Sequence, residues 1–143
     1  SRHISGSSYN LLLLLFLAGG LIVRGSYNPP QIQTWGKTPE EQSVLLLQQR
    51  LPQDSLVGAG APGAVYAAHM EYYGLVDFDE SIKSGEELHS NLLNLGVKAI
   101  YVDNTLTGQD KYVWSLIESG IGRLYEQIFS GDQGSIRVLL VKP

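Results

Sequence analysis

The sequence predicts one small α/β domain: βα units in three layers with a mostly parallel sheet, closed by a C-terminal antiparallel β-hairpin. Three observations carry this. Short apolar runs alternate with helix-like stretches between Ser55 and Ser119, the pattern of parallel strands joined by crossover helices. The run Val97–Val102 (VKAIYV) is almost continuously apolar, as expected of a strand covered on both faces. Near the end, Leu124–Phe129 and Ser135–Val141 flank the glycine-rich turn Ser130–Gly134, which reads as a hairpin. At 143 residues the chain fits a single core.

The elements follow in order. Residues 1–25 form an apolar N-terminal segment, in which Leu11–Val23 (LLLLLFLAGGLIV) carries no charge and Arg24 follows directly. Thirteen residues fall short of the roughly 17–25 of a membrane-spanning helix. The end of a transmembrane span, a signal-peptide core and a buried core helix therefore compete for this segment. Residues 26–37 read as a linker, because Pro29-Pro30 cannot continue a helix. Residues 38–143 form the α/β domain. Its first helix has Thr38 as N-cap, Pro39 at the first position and Glu40-Glu41 in the first turn; Pro52 stops it.

Three units then repeat. Ser55–Gly58 is a short strand and Pro62–Tyr73 a helix ended by Gly74. Leu75–Phe78 is the second strand. Ser84 and Glu87 form a capping box for a helix that carries Leu88, Leu92 and Leu95 and closes at Gly96. Val97–Val102 is the third strand, and Gln109–Ser119 a further helix. The tyrosines, Tyr66, Tyr72, Tyr73, Tyr101, Tyr112 and Tyr125, are expected to pack with their hydroxyls at the rim, a sugar-stacking surface being the alternative use.

Composition excludes several chemistries. A net charge of −4 without any Lys/Arg cluster argues against a nucleic-acid surface. The absence of cysteine removes disulfides, thiolate nucleophiles and Cys-based zinc sites. His3, His69 and His89 are far apart and have no i, i+4 partner, so no helix-borne metal motif exists; His69 reads as a surface or semi-buried helix residue and His89 is expected to face solvent. No G-x-S-x-G elbow provides a hydrolase nucleophile. The sequence predicts no catalytic residue, metal or cofactor in this chain.

The sharpest motif is Gly58-Ala59-Gly60-Ala61-Pro62-Gly63, a G-x-G-x-x-G between a strand and a helix, with Asp77 nineteen residues after Gly58. In a dinucleotide-binding unit, Gly58, Gly60 and Gly63 would let a pyrophosphate approach the helix N-terminus while Asp77 takes the ribose hydroxyls. The plain alternative is a tight strand-to-helix turn in which the glycines serve geometry alone. Only 66 residues follow Asp77, too few for a usual second half of that fold. Asp77-Phe78-Asp79-Glu80 contains a D-x-D, the pattern by which some sugar transferases hold a metal and a nucleotide diphosphate; the competing reading is a solvated acidic loop. Asp103 and Asn104 follow the third strand and are expected at the same sheet edge, where strand-end carboxylates can face a cation or sugar hydroxyl.

The order of segments resembles a known arrangement. An apolar helix end, a linker, a helix, L-P-x-D-S-L-V-G, a P-G helix, L-V-D-F-D and L-x-x-L-G-V-K-A-I-Y-V together look like the C-terminal extracytoplasmic domain of polytopic membrane glycosyltransferases that use lipid-phosphate-linked sugars, the dolichyl-phosphate-mannose-dependent type and its bacterial relatives. The corresponding positions are Pro62-Gly63, Leu75–Asp79 and Gly96–Val102, and the likeness spans about residues 10–143. One departure is that the family's glycine after the D-x-D is Glu80 here.

The resemblance implies a membrane-anchored, extracytoplasmic, non-catalytic domain. It would cover the active-site mouth or help hold a sugar or peptide acceptor, with the membrane domain of the same polypeptide as its partner. The catalytic carboxylates would lie in that membrane part. Two other functions stay open beside it. One is a small nucleotide-binding domain using Gly58–Gly63 and Asp77. The other is a structural module that self-associates through the apolar N-terminal segment.

Overall fold

A computed structural model describes Gly36, residues 38–76 and residues 81–143. The chain divides between Trp35 and Gly36, and Gly36–Pro143 forms one unit. Leu11–Val23 and the linker apart from Gly36 lie outside the described residues, as do Asp77 and Asp79. Among the described residues no helix is long and apolar enough to cross a membrane.

Helix α1, Pro39–Arg50, begins as its residues require: the Thr38 hydroxyl accepts from the Glu41 N–H at 3.3 Å, and Glu40 and Glu41 occupy the positive end of the dipole. Such a cap contributes about 1 kcal/mol. Strand β1 covers Leu56–Ala59, helix α2 Gly63–Ala67 and strand β2 Glu71–Gly74. Helix α3, Gly85–Leu95, is capped by Ser84, whose hydroxyl accepts from the Glu87 N–H at 3.1 Å, and it ends at a left-handed Gly96. The Glu87 carboxylate reaches back to the Lys83 N–H at 3.1 Å, one residue outside the usual box. Strand β3 is Val97–Val102, helix α4 Asn104–Gln109, helix α5 Lys111–Glu118, and strands β4 and β5 are Tyr125–Gly131 and Ile136–Val141.

Three expectations need correcting. The helix placed over Pro62–Tyr73 ends at Ala67, because His69 adopts a left-handed φ of 57° and turns the chain back. The second strand is accordingly Glu71–Gly74, ending before Leu75, where it is expected to begin. It pairs in register with β1, Leu56 opposite Glu71 and Ala59 opposite Gly74. Tyr72 and Tyr73 favour that extended state, aromatic residues fitting a pleated, half-covered surface. The helix placed over Gln109–Ser119 begins at Lys111. A separate short helix precedes it, and Asp110 ends the first while its carboxylate caps the second at the Val113 N–H, 2.9 Å away.

The fold is a mixed α/β sheet of five strands in the order β2-β1-β3-β5-β4. Strands β1, β2 and β3 are parallel, and β5 runs antiparallel to both of its neighbours. Because β2 and β3 flank β1 on opposite sides, crossovers of one hand place α2 and α3 on opposite faces. The two cores follow from this. On one face, α1 and α2 bury Leu47, Val57, Val65, Ala99 and Val138. On the other, α3, α4 and α5 bury Leu88, Leu92, Ile100, Leu106 and Ile117. Strand β3 serves both, sending Ala99 and Tyr101 to the first core and Ile100 and Val102 to the second, with an irregular register where Lys98 is passed over. Leu95, expected on the buried stripe of α3, is 49% exposed in its last turn.

Two tyrosines depart from the rim. Tyr101 and Tyr125 are almost wholly buried. The Tyr101 hydroxyl hydrogen-bonds the buried Ser43 hydroxyl at 3.1 Å, and Ser43 also donates to the Glu40 carbonyl at 2.6 Å, tying α1 to β3. The Tyr125 hydroxyl has no hydrogen-bond partner among the described residues. Its ring meets His89 edge-on at 5.6 Å, and burial pushes its pKa up to about 12. His89 in turn bonds the Lys142 carbonyl at 2.8 Å. The Lys142 N–H donates to the Leu124 carbonyl and its ammonium to the Gly122 carbonyl, so the C-terminal residues strap α3 to the start of β4.

Candidate functional site

In an open α/β sheet the ligand crevice lies beyond the carboxyl ends of the strands, where the chain order reverses. Here that point lies between β1 and β3, which are neighbours although β2 separates them in sequence. The residues leaving those strands are Gly60 and Asp103. The fold therefore brings Gly58 and Gly60 to the same edge as Asp103 and Asn104, as the alternation of elements predicts. Asp77 and Asp79 lie outside the described residues.

Gly60 packs directly on the first turn of α4. A Cβ on Gly60 would lie 2.6 Å from the Leu106 nitrogen and 2.8 Å from its Cα. Backbone rests on backbone there, and the fully buried Leu106 side chain continues into the second core. The Gly60 carbonyl accepts from the Tyr72 hydroxyl at 3.4 Å. Gly58 has the Leu75 side chain at 3.2 Å from its Cβ position. Among the described residues nothing lies within 4 Å of the Cβ position of Gly63, so no described helix-to-strand contact requires the third glycine of the motif. Gly58, Gly60 and Gly63 all have ordinary φ. The helix they introduce is only five residues long and has no side-chain cap.

The carboxylate at this edge is also committed. Asp103 Oδ1 accepts from the Thr105 N–H at 2.9 Å and the Leu106 N–H at 3.2 Å, the N-cap of α4. Its backbone carbonyl accepts from the Thr107 hydroxyl at 3.2 Å. Asn104 is exposed in the first turn of α4. Among the described residues no group of three His, Asp or Glu side chains comes together as a metal-binding set.

Sequence reasoning missed Leu106, the residue that packs on Gly60. A signal existed in Asp103-Asn104-Thr105-Leu106, an N-cap followed three positions later by a large apolar side chain. It also missed a groove at the opposite edge, between the end of α1 and the left-handed His69. That groove is lined by Gln48, Leu51, Gln53, Ala68, His69 and Met70 and has a volume of about 260 Å³, below the usual range of small-molecule pockets. Outside both regions, Tyr66 is 61% exposed and stands edge-on to Tyr72 at 6.1 Å, the most open aromatic surface among the described residues.

No family model matches this chain, and no curated protein matches it.

Proposed function

We propose that this chain is the non-catalytic, extracytoplasmic α/β domain of a membrane glycosyltransferase that uses a lipid-phosphate-linked sugar. Its task would be to cover the active-site mouth or hold the acceptor while the membrane part of the same polypeptide performs the transfer. Three features support this reading: the order of segments from Leu11 to Val102, the uncharged Leu11–Val23, and the packing of Gly60 on α4 at the sheet's ligand edge. The observation that carries it is the contact between Gly60 and Leu106, where a Cβ would lie 2.6 Å from the Leu106 nitrogen. An edge where backbone packs on backbone, with Asp103 spent on a helix cap, suits a domain that presents an outer surface rather than an inner reaction site.

One observation favours the nucleotide-binding alternative: Gly58–Gly63 does sit at the reversal of strand order. The close packing of Gly60 on Leu106 speaks against it, since that glycine already serves a contact within the chain.

Two measurements test the proposal. In vesicle flotation, residues 1–143 are expected to rise with the lipid and residues 36–143 to stay below. If both stay below, membrane anchoring through the N-terminal segment fails. In proteoliposomes, the parent enzyme lacking residues 36–143 is expected to lose transfer mainly through a higher acceptor KM. Unchanged kinetics would remove the acceptor role, and sugar transfer by the isolated chain would overturn the non-catalytic assignment. Calorimetric titration with NAD, ATP and S-adenosylmethionine at millimolar concentration is expected to give no heat of binding; saturable heat abolished by Gly60→Ala would favour the alternative.

A further inference from the structure

We draw no further inference here: the strongest candidate, the groove between the C-terminal end of α1 and the left-handed His69 turn, lined by Gln48, Leu51, Gln53, Ala68, His69 and Met70, carries nothing because nothing in the structure shows what covers it.

Discussion

At the end of β1, Gly60 has an ordinary φ and is boxed in by the backbone of Leu106; at the tip of the β4–β5 hairpin, Gly134 has a φ of 89° and, among the described residues, only the flexible Arg137 side chain near its Cβ position, at 3.4 Å. Both glycines stand in turns that look alike in sequence, Gly58–Gly63 and Gly131–Gly134. The first needs glycine for what lies next to it, the second for how the backbone bends. In the hairpin, the Ser135 N–H closes on the Asp132 carbonyl at 3.1 Å, and Gln133 (φ 56°, ψ 28°) and Gly134 are both left-handed. The pair has the dihedral signs of a type I′ turn, set in a longer loop in which Asp132 is also left-handed (φ 50°) and Ser135 is helical. A glycine-rich turn thus indicates a steric demand without saying which kind, and a phosphate cradle is only one member of the first kind.

Substitution separates the two demands, and the largest effect belongs to the boxed-in position. Gly60→Ala places a methyl against main-chain atoms that no rotamer can move aside, so either α4 lifts or the end of β1 bends. Overpacking of this sort typically costs 1–3 kcal/mol, and the backbone contact puts Gly60→Ala near the top, about 3 kcal/mol. Urea denaturation reads this as a lower midpoint at unchanged slope, and amide exchange should quicken across Asn104–Gln109. A loss below about 0.5 kcal/mol, well under that range, would mean that Leu106 does not pack on Gly60 and would reopen that edge to a ligand. Asp103→Ala acts on the same corner from the other side. It removes the acceptor of two N–H groups and should cost about 1–2 kcal/mol. Since both changes work through α4, the double variant should lose less than the sum; strict additivity would show that the corner is not one unit.

At the hairpin the predicted effects are smaller and come with both signs. Gly134→Ala keeps every neighbour in place but forces a Cβ into the left-handed region, a cost of about 1–2 kcal/mol. Gln133→Asn installs the Asn-Gly pair that type I′ turns prefer and should stabilise by about 0.5 kcal/mol, since Asn tolerates the left-handed conformation better than Gln. Thermal unfolding resolves a shift of this size. Should Gln133→Asn destabilise the protein, the side chain of Gln133 makes a contribution that backbone conformation does not explain.

The same distinction explains how far the sequence could be read. Helices α1 and α3 were legible because Thr38, Pro39, Ser84 and Gly96 mark their ends through local chemistry. Strand β3 was legible because an apolar run of its length suits a strand covered twice. The stretch from Pro62 to Tyr73 was not. Its helix stops at a left-handed His69, and Glu71–Gly74 becomes a strand because β1 offers a parallel partner, a tertiary gain that local periodicity cannot register. The candidate edge was legible in outline, for alternating βα units bring Gly60 and Asp103 together. The packing of that edge was hidden, because the approach of Gly60 to Leu106 depends on the spacing of two strands distant in sequence. The buried Tyr101 and Tyr125 were hidden for a related reason. Ser43 supplies a partner to Tyr101 from another element, and Tyr125 has none among the described residues, so composition alone places neither hydroxyl.

A stabilisation as small as that at Gln133 bears most directly on function. Gly63 is the third glycine of the G-x-G-x-x-G pattern, the position that in a dinucleotide-binding unit lets the helix approach the strand. Here no described residue comes within 4 Å of its Cβ position, its φ is ordinary, and it begins α2. Gly63→Ala should therefore stabilise the chain by about 0.4–1 kcal/mol, through the lower entropy of the unfolded state alone. The opposite sign, a loss of 1 kcal/mol or more, would reveal a close neighbour that the described residues do not supply and would restore to the third glycine the packing role its motif suggests. If instead the stabilisation appears beside a severe Gly60→Ala, the two glycines have parted company. Gly58–Gly63 is then a corner shaped around Leu106 and not around a phosphate, in keeping with the appended, non-catalytic domain proposed above.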